Sequence, residues 1–227
     1  MNRTPKTITR ILEILDELYP WDGRCFLNYE TPWQLLFATI LSAQCTDDRV
    51  NTVTPNLFKK YPTLESIAGA KLPELEKLVH STGFFRAKAR HLQNSAQVLL
   101  EKHNGQLPPD IESLTALSGV GRKTANVVRG HIFNIPSVVV DTHVMRVSHR
   151  LGLTDKTDPV KIEFELMEKL PKSHWIRCNQ QLITHGRKVC TARTPHCKDC
   201  KLKNQCQAPQ SETSPSKDEP PQRSEEA

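Results

Sequence analysis

Four cysteines, Cys190, Cys197, Cys200 and Cys206, follow one another as C-x6-C-x2-C-x5-C within seventeen residues. Thiols packed so densely serve few purposes. The chain opens Met-Asn-Arg-Thr-Pro without an apolar h-region, so a reducing compartment is expected. There such a set reads as metal or cluster ligation and not as disulfides. Structural zinc sites more often join two C-x2-C knuckles across a longer loop. Here one C-x2-C is flanked by single cysteines at unequal distances, which suits the corners of an iron–sulfur cube better and leaves zinc as the alternative. Cys25, Cys45 and Cys178 lie scattered among apolar residues and read as small buried hydrophobes.

The second chemical segment is Leu117-Ser-Gly-Val-Gly-Arg-Lys-Thr-Ala-Asn-Val-Val128. Gly119-Val120-Gly121 is a tight turn between a short helix near 110–117 and an apolar one near 122–133. Glycine permits positive φ and close approach of another backbone. The first-turn amides of the second helix then point outward toward a place suited to a phosphate, although a plain αα-hairpin also favours glycine. Arg122 and Lys123 at that helix N-terminus oppose its dipole, a cost that an anion or a special role would offset. The dipole, Arg122 and an apolar surround would together depress the Lys123 pKa and supply the neutral amine a nucleophile needs. The alternative is a surface lysine on a phosphate.

The elements that must position these residues are helical. Apolar residues recur at helical spacing in Ile8, Ile11, Leu12, Leu15 and Leu18, in Val50, Val53, Leu57 and Phe58, and in Leu92, Ala96, Leu99 and Leu100. Ile162, Leu166 and Leu170 repeat it. Prolines such as Pro32, Pro73, Pro159 and Pro171 fall where helices begin or end. Ser137-Val-Val-Val-Asp141 is too short and solitary for a sheet and reads as an extended connector. The fold class is therefore all-α, with about ten helices. The segment 207–227 holds four prolines, four serines and no large apolar residue, a composition that predicts disorder.

The chain is 37% hydrophobic and 25% charged, and no apolar run approaches the roughly 20 residues that span a bilayer, so no membrane partner is expected. Its net charge is +6, but the segment from Gln207 carries two basic residues against five carboxylates, which leaves +9 on residues 1–206. Such a surplus favours a polyanion, nucleic acid first; solubility alone is the simpler reading.

L-x-G-V-G-R-K-T-A-N-V-V, V-D-T-H eighteen residues after the lysine, and C-x6-C-x2-C-x5-C agree in type, order and spacing with one family. From about residue 5 to 206 the chain resembles the helix-hairpin-helix DNA glycosylases, and within them the endonuclease III family. The resemblance implies a six-helix barrel with the helix-hairpin-helix at 25–135. It also implies a cluster domain from an N-terminal helix at 1–24 and the segment 136–206, with a [4Fe-4S] cluster on the four cysteines. It implies base excision repair of oxidised pyrimidines in duplex DNA. In that reaction Lys123 is the nucleophile and Schiff-base former, Asp141 is its electrostatic partner, and the strand is cut by β-elimination. Read without the family, Asp141 is a helix N-cap, and a carboxylate fixed by capping is a well-oriented one.

The same resemblance implies that Gln44, in Ser42-Ala-Gln-Cys-Thr-Asp47, fills the hole left by a flipped base. Phe84, after Thr82-Gly83, is then the wedge from the opposite side, where the family often has leucine. Asp47 and His143 are expected to cap and to shape the site. Gly119, Val120, Gly121, Arg122, Arg187, Arg193, Lys201 and Lys203 are expected to meet DNA, with Lys188 and Lys198 in the same basic surround. A monomer in the cytoplasm, associated with the nucleoid, is expected. Three alternatives remain: an adenine-mismatch glycosylase, whose relatives lack the hairpin lysine and add a C-terminal domain; a lyase for pyrimidine dimers or mismatched thymine; and a non-catalytic DNA-binding or redox-sensing protein.

Overall fold

The computed structural model of the chain describes residues 3–208, so most of the segment expected to be disordered lies outside the described residues. Its first two residues are held: the Gln207 and Ala208 amides both donate to the Arg150 carbonyl, at 2.8 and 3.2 Å. Eleven α-helices form among the described residues, with three short 3₁₀ turns and no strand. They are α1 (Pro5–Leu18), α2 (Pro32–Leu41), α3 (Asp47–Lys60), α4 (Leu64–Ala68), α5 (Leu72–Val79), α6 (Phe85–His103), α7 (Ile111–Thr115), α8 (Arg122–Phe133), α9 (Thr142–Arg150), α10 (Pro159–Lys169) and α11 (Trp175–Lys188). The starts follow the local chemistry. Pro5, Pro32 and Pro159 open α1, α2 and α10, and the Asp158 carboxylate accepts from the Lys161 amide at 2.9 Å. The segment 137–141 is extended and unpaired, as a connector should be.

Two separate cores result. The first draws Leu35, Leu36 and Phe37 of α2, Leu57 of α3, Leu92 and Leu99 of α6 and Val128 of α8 into one buried interior. The second joins Ile11 and Leu15 of α1 to Val144, Val147, Leu166 and Leu182 of α9, α10 and α11, and takes in Leu202. The two ends of the described chain therefore share one body: α1 packs on α11, where Tyr19 Oη meets His185 Nδ1 at 3.0 Å and Gln181 donates to Asp16 at 2.8 Å.

The seam between the bodies is polar and buried. Arg122, first residue of α8, donates from Nε and a terminal nitrogen to the two oxygens of Glu163 on α10, both at 2.8 Å. Asn126, one turn further, donates to Glu163 Oε1 at 3.0 Å and to the Val138 carbonyl at 3.3 Å. Ser137 donates to the Asn126 carbonyl at 2.8 Å, and Asn179 of α11 donates to the Ser137 carbonyl at 3.1 Å. The Glu163 side chain is only 8% exposed, so a bidentate, fully partnered carboxylate is the form in which burial is tolerable.

Candidate active site and nucleic-acid interface

The cleft along this seam gathers residues far apart in the sequence. An inner cavity of about 100 Å³ is walled by Lys123 and Asp141 together with Leu27, Asn126, His131 and Ile183. An outer, open cavity of about 820 Å³ shares Lys123, Asp141, Asp47 and Arg187 with it and adds Gln44 and His143. Lysine and aspartate thus face one space, placed there by the starts of α8 and α9.

Asp141 is the N-cap of α9. Its Oδ1 accepts from the Val144 amide at 2.7 Å, which fixes the half-buried carboxylate at the cleft wall. Behind it, the His143 ring accepts from Arg146 at 3.1 Å. Burial pulls the His143 pKa down while the nearby Asp141 carboxylate opposes the shift. Lys123 differs from expectation. Its side chain is exposed, at the mouth of a cleft whose inner wall is partly apolar, and among the described residues its amine has no hydrogen-bond or ion-pair partner. Arg122 turns its guanidinium away to Glu163 and rests 5.0 Å over the Phe164 ring. It braces the seam through Nε and one terminal nitrogen, and its side chain stays 37% exposed.

The hairpin turn behind Lys123 is built for close approach. Gly119 has φ +76°, and a Cβ there would stand 2.7 Å from the His91 ring. That ring is itself tied to Ser118 Oγ at 2.9 Å. Gly121 has φ −91° and open space where a Cβ would be, so its side faces outward. Val120, expected on the DNA, buries its side chain in the first core, which leaves it only backbone to offer. The first-turn amides of α8 stand beyond, unfilled by any capping side chain.

Gln44 and Phe84 share an unusual backbone. Four non-glycine residues among those described have positive φ. Two are Asn104 and Asn134, helix C-caps where asparagine is at ease. The others are Gln44 (φ 52°) and Phe84 (φ 46°). Neither residue type enters this region without about 1–2 kcal/mol of strain. Both are exposed, and Phe84 is 68% open to solvent, the most exposed large apolar side chain described. Asp47 does not cap: Thr46 does, and the Asp47 carboxylate instead receives Arg187 at 2.6 Å, with that guanidinium 4.7 Å over Phe26. Arg187, like Arg122, is therefore held by an internal partner.

The four cysteines of the motif line one cavity of about 310 Å³ beside α9 and α11. Among the described residues no group of three His, Cys, Asp or Glu is arranged to hold a single ion. The four sulfurs border one common space, so a single bound group could take all four as ligands. Burial first pushes the Cys200 and Cys206 pKa values up; backbone hydrogen bonds at Leu202 and Ala208 oppose the shift and the neighbouring thiols add to it. Arg150, which the spacing of the cysteines could not reveal, donates to Cys190 Sγ at 3.3 Å and to the Thr191 carbonyl at 2.7 Å. Arg193, Lys201 and Lys203 are exposed around this loop, and Lys203 reaches the Lys198 carbonyl at 3.4 Å. Cys178 is buried as expected, whereas Cys25 and Cys45 are only half-buried.

Sequence reasoning also missed Glu163, Asn126 and Lys88. For Lys88 a signal existed: it lies four residues before Leu92, on the apolar stripe of α6.

A profile of the HhH-GPD superfamily base excision DNA repair proteins matches residues 37–172. Endonuclease III of Synechocystis sp. is 51% identical over 203 residues, covering 89% of this chain and 92% of that protein. Endonuclease III of Bacillus subtilis is 41% identical over 202 residues, covering 88% and 92%. The fold superposes with a TM-score of 0.86 and 41% identity on a trapped endonuclease III–DNA covalent intermediate in an estranged-adenine complex, covering 91% of this chain and 97% of that one.

Proposed function

Because this chain belongs to the HhH-GPD superfamily and within it to the endonuclease III family, a base excision repair DNA glycosylase and lyase, we propose that its substrate is an oxidised pyrimidine in duplex DNA, that Lys123 is its nucleophile and that Asp141 is the electrostatic partner. The observation that carries the assignment is the single cleft into which α8 and α9 deliver an unpartnered amine and a capped carboxylate.

The chemistry follows from those two groups. The lesion leaves the stack and enters the cleft. The Lys123 Nζ lone pair attacks C1′, the C1′–N bond to the base breaks, and its electron pair leaves with the base, which takes up a proton. Asp141 stands beside the positive charge that grows on the sugar and helps to take the proton lost from the attacking amine. Ring opening yields the Schiff base; loss of a C2′ proton then expels the 3′ phosphate by β-elimination. Since Lys123 is solvent-exposed in the free protein, exclusion of water in this step falls to the bound DNA. Gln44 and Phe84, both held in strained and exposed conformations, are preset to enter the vacated stack.

Cys190, Cys197, Cys200 and Cys206 would hold a [4Fe-4S] cluster. Their sulfurs surround a space of suitable character, and Arg150 at Cys190 Sγ offsets the negative charge of such a group. With all four sulfurs in the loop 190–206, such a group would tie that loop to itself over the cavity beside α9 and α11. Arg193, Lys201 and Lys203 on that exposed loop, with the amides after Gly121, would meet the phosphates.

Borohydride trapping on a duplex with a thymine glycol tests the reading. Wild-type protein should become covalently attached to DNA, and Lys123→Gln should lose trapping and strand cleavage while retaining lesion binding. Asp141→Asn should bind but turn over on the order of 10²-fold more slowly. Trapping that persists in Lys123→Gln would place the nucleophile elsewhere.

A further inference from the structure

Lys88 is the most deeply buried lysine among the described residues, 3% exposed, and the titratable group that acts on it electrostatically is the Cys45 thiol, not a carboxylate. Its Nζ donates to the Leu41 carbonyl at 2.8 Å and to the Thr82 carbonyl at 2.7 Å. Leu41 is the last residue of α2, so its carbonyl is one of those a helix end leaves without a backbone partner. Thr82 ends the 3₁₀ turn His80–Thr82, its side chain also buried. Burial pulls the ammonium pKa below the ordinary lysine value, so a charge at this point costs the fold stability. An apolar side chain would fill the same place on the stripe of α6 more cheaply.

The two carbonyls are not arbitrary. Leu41 leads directly into Ser42-Ala43-Gln44, and Thr82 leads directly into Gly83-Phe84. Both segments then turn through positive φ, at Gln44 and Phe84. The two wedges come from loops 40 residues apart in the chain, yet one ammonium holds the root of each. We propose that Lys88 is a positioning residue that couples the two loops, so that Gln44 and Phe84 enter the DNA stack as one rigid pair. The proposal rests on the reading of those two side chains as wedges.

Charge and geometry both fit that role. A cation beside a helix C-terminal carbonyl is favoured by the dipole. Two charge-assisted hydrogen bonds at 2.7–2.8 Å from a single atom fix the carbonyls relative to each other. Neither loop needs a regular hydrogen-bond ladder to keep its register with the other.

The test uses the full chain and a reader of wedge entry that needs no chemistry: a duplex with a tetrahydrofuran abasic analogue opposite 2-aminopurine. Wild-type protein should raise the fluorescence as the wedges displace the 2-aminopurine from the stack. Gln44→Ala and Phe84→Ala should each reduce that rise. Lys88→Met should reduce it by on the order of 10-fold while duplex affinity changes far less. Adding Gln44→Ala or Phe84→Ala to Lys88→Met should bring little further loss. Lys88→Gln, which keeps a shorter and uncharged donor, should fall between and serves if Lys88→Met folds poorly. A full fluorescence rise in the folded Lys88 variants, losses that multiply in the double variants, or affinity and fluorescence falling in parallel would each overturn the coupling while leaving the wedges in place. An unchanged rise in both Gln44→Ala and Phe84→Ala would instead overturn the wedge reading, and the coupling with it.

Discussion

Replacing each glycine of the hairpin turn by alanine separates folding from phosphate binding. Gly119→Ala meets two obstacles at once. Its φ of +76° is a left-handed conformation that costs an L side chain about 1–2 kcal/mol. Its new methyl would also lie 2.7 Å from His91 Cγ and 2.9 Å from His91 Cβ. The imidazole cannot swing aside without losing Ser118 Oγ at 2.9 Å, so overpacking adds roughly 1–3 kcal/mol. The sum, roughly 2–5 kcal/mol, should lower the melting temperature by roughly 5–20 °C in a chain of this size. Gly121→Ala is the control. Its φ of −91° suits any residue, and nothing lies within 4 Å of the added Cβ. Stability should change by less than about 1 kcal/mol, the cost of a poorer N-cap. The methyl would, however, stand on the outward side of the turn, where a phosphate would approach the α8 amides, so duplex affinity should fall. Thermal melting and a fluorescence-anisotropy titration against a short duplex measure the two effects. A Gly119→Ala protein melting with the wild type would refute the steric argument. A Gly121→Ala protein with full affinity would move the phosphate contact off this turn.

Further outcomes follow from other contacts. Glu163→Ala leaves the Arg122 guanidinium and Asn126 amide without their shared buried carboxylate, and urea denaturation should show a loss of about 3–5 kcal/mol; a loss under 1 kcal/mol would mean the seam is not held there. Cys178, whose pKa burial pushes up to about 12, should resist iodoacetamide at pH 8 in the folded protein, and rapid modification seen by mass spectrometry would contradict its burial. Cys197→Ser should lose iron measured by elemental analysis, whereas stoichiometric zinc and no iron in anaerobically purified wild type would sink the cluster assignment. Duplex affinity should drop steeply with salt, and Lys201→Glu should shrink the slope of log K against log salt by about 1 or more; an unchanged slope would remove Lys201 from the phosphate contacts.

The sequence alone made the helices, the cysteine set, the glycine turn, Lys123 and Asp141 legible. Each is a local pattern, written within one or two helical turns, or a motif whose order identifies the family. Asp141 as an N-cap needed only the three residues to Val144. What the chain could not display is which side chains meet across it. Arg122 finds Glu163 at a separation of 41 residues, Lys88 finds Leu41 at 47, and Arg150 finds Cys190 at 40. These pairings depend on how helices cross and rotate about their axes, which no local spacing encodes. That is why the Glu163 partner of Arg122, the Asp47 partner of Arg187 and the burial of the Val120 side chain were not legible in the sequence. The strain at Gln44 and Phe84 is likewise a tertiary result. Neither residue type asks for positive φ, so only packing on both sides of each loop, with the Lys88 ammonium at their roots, can hold them there.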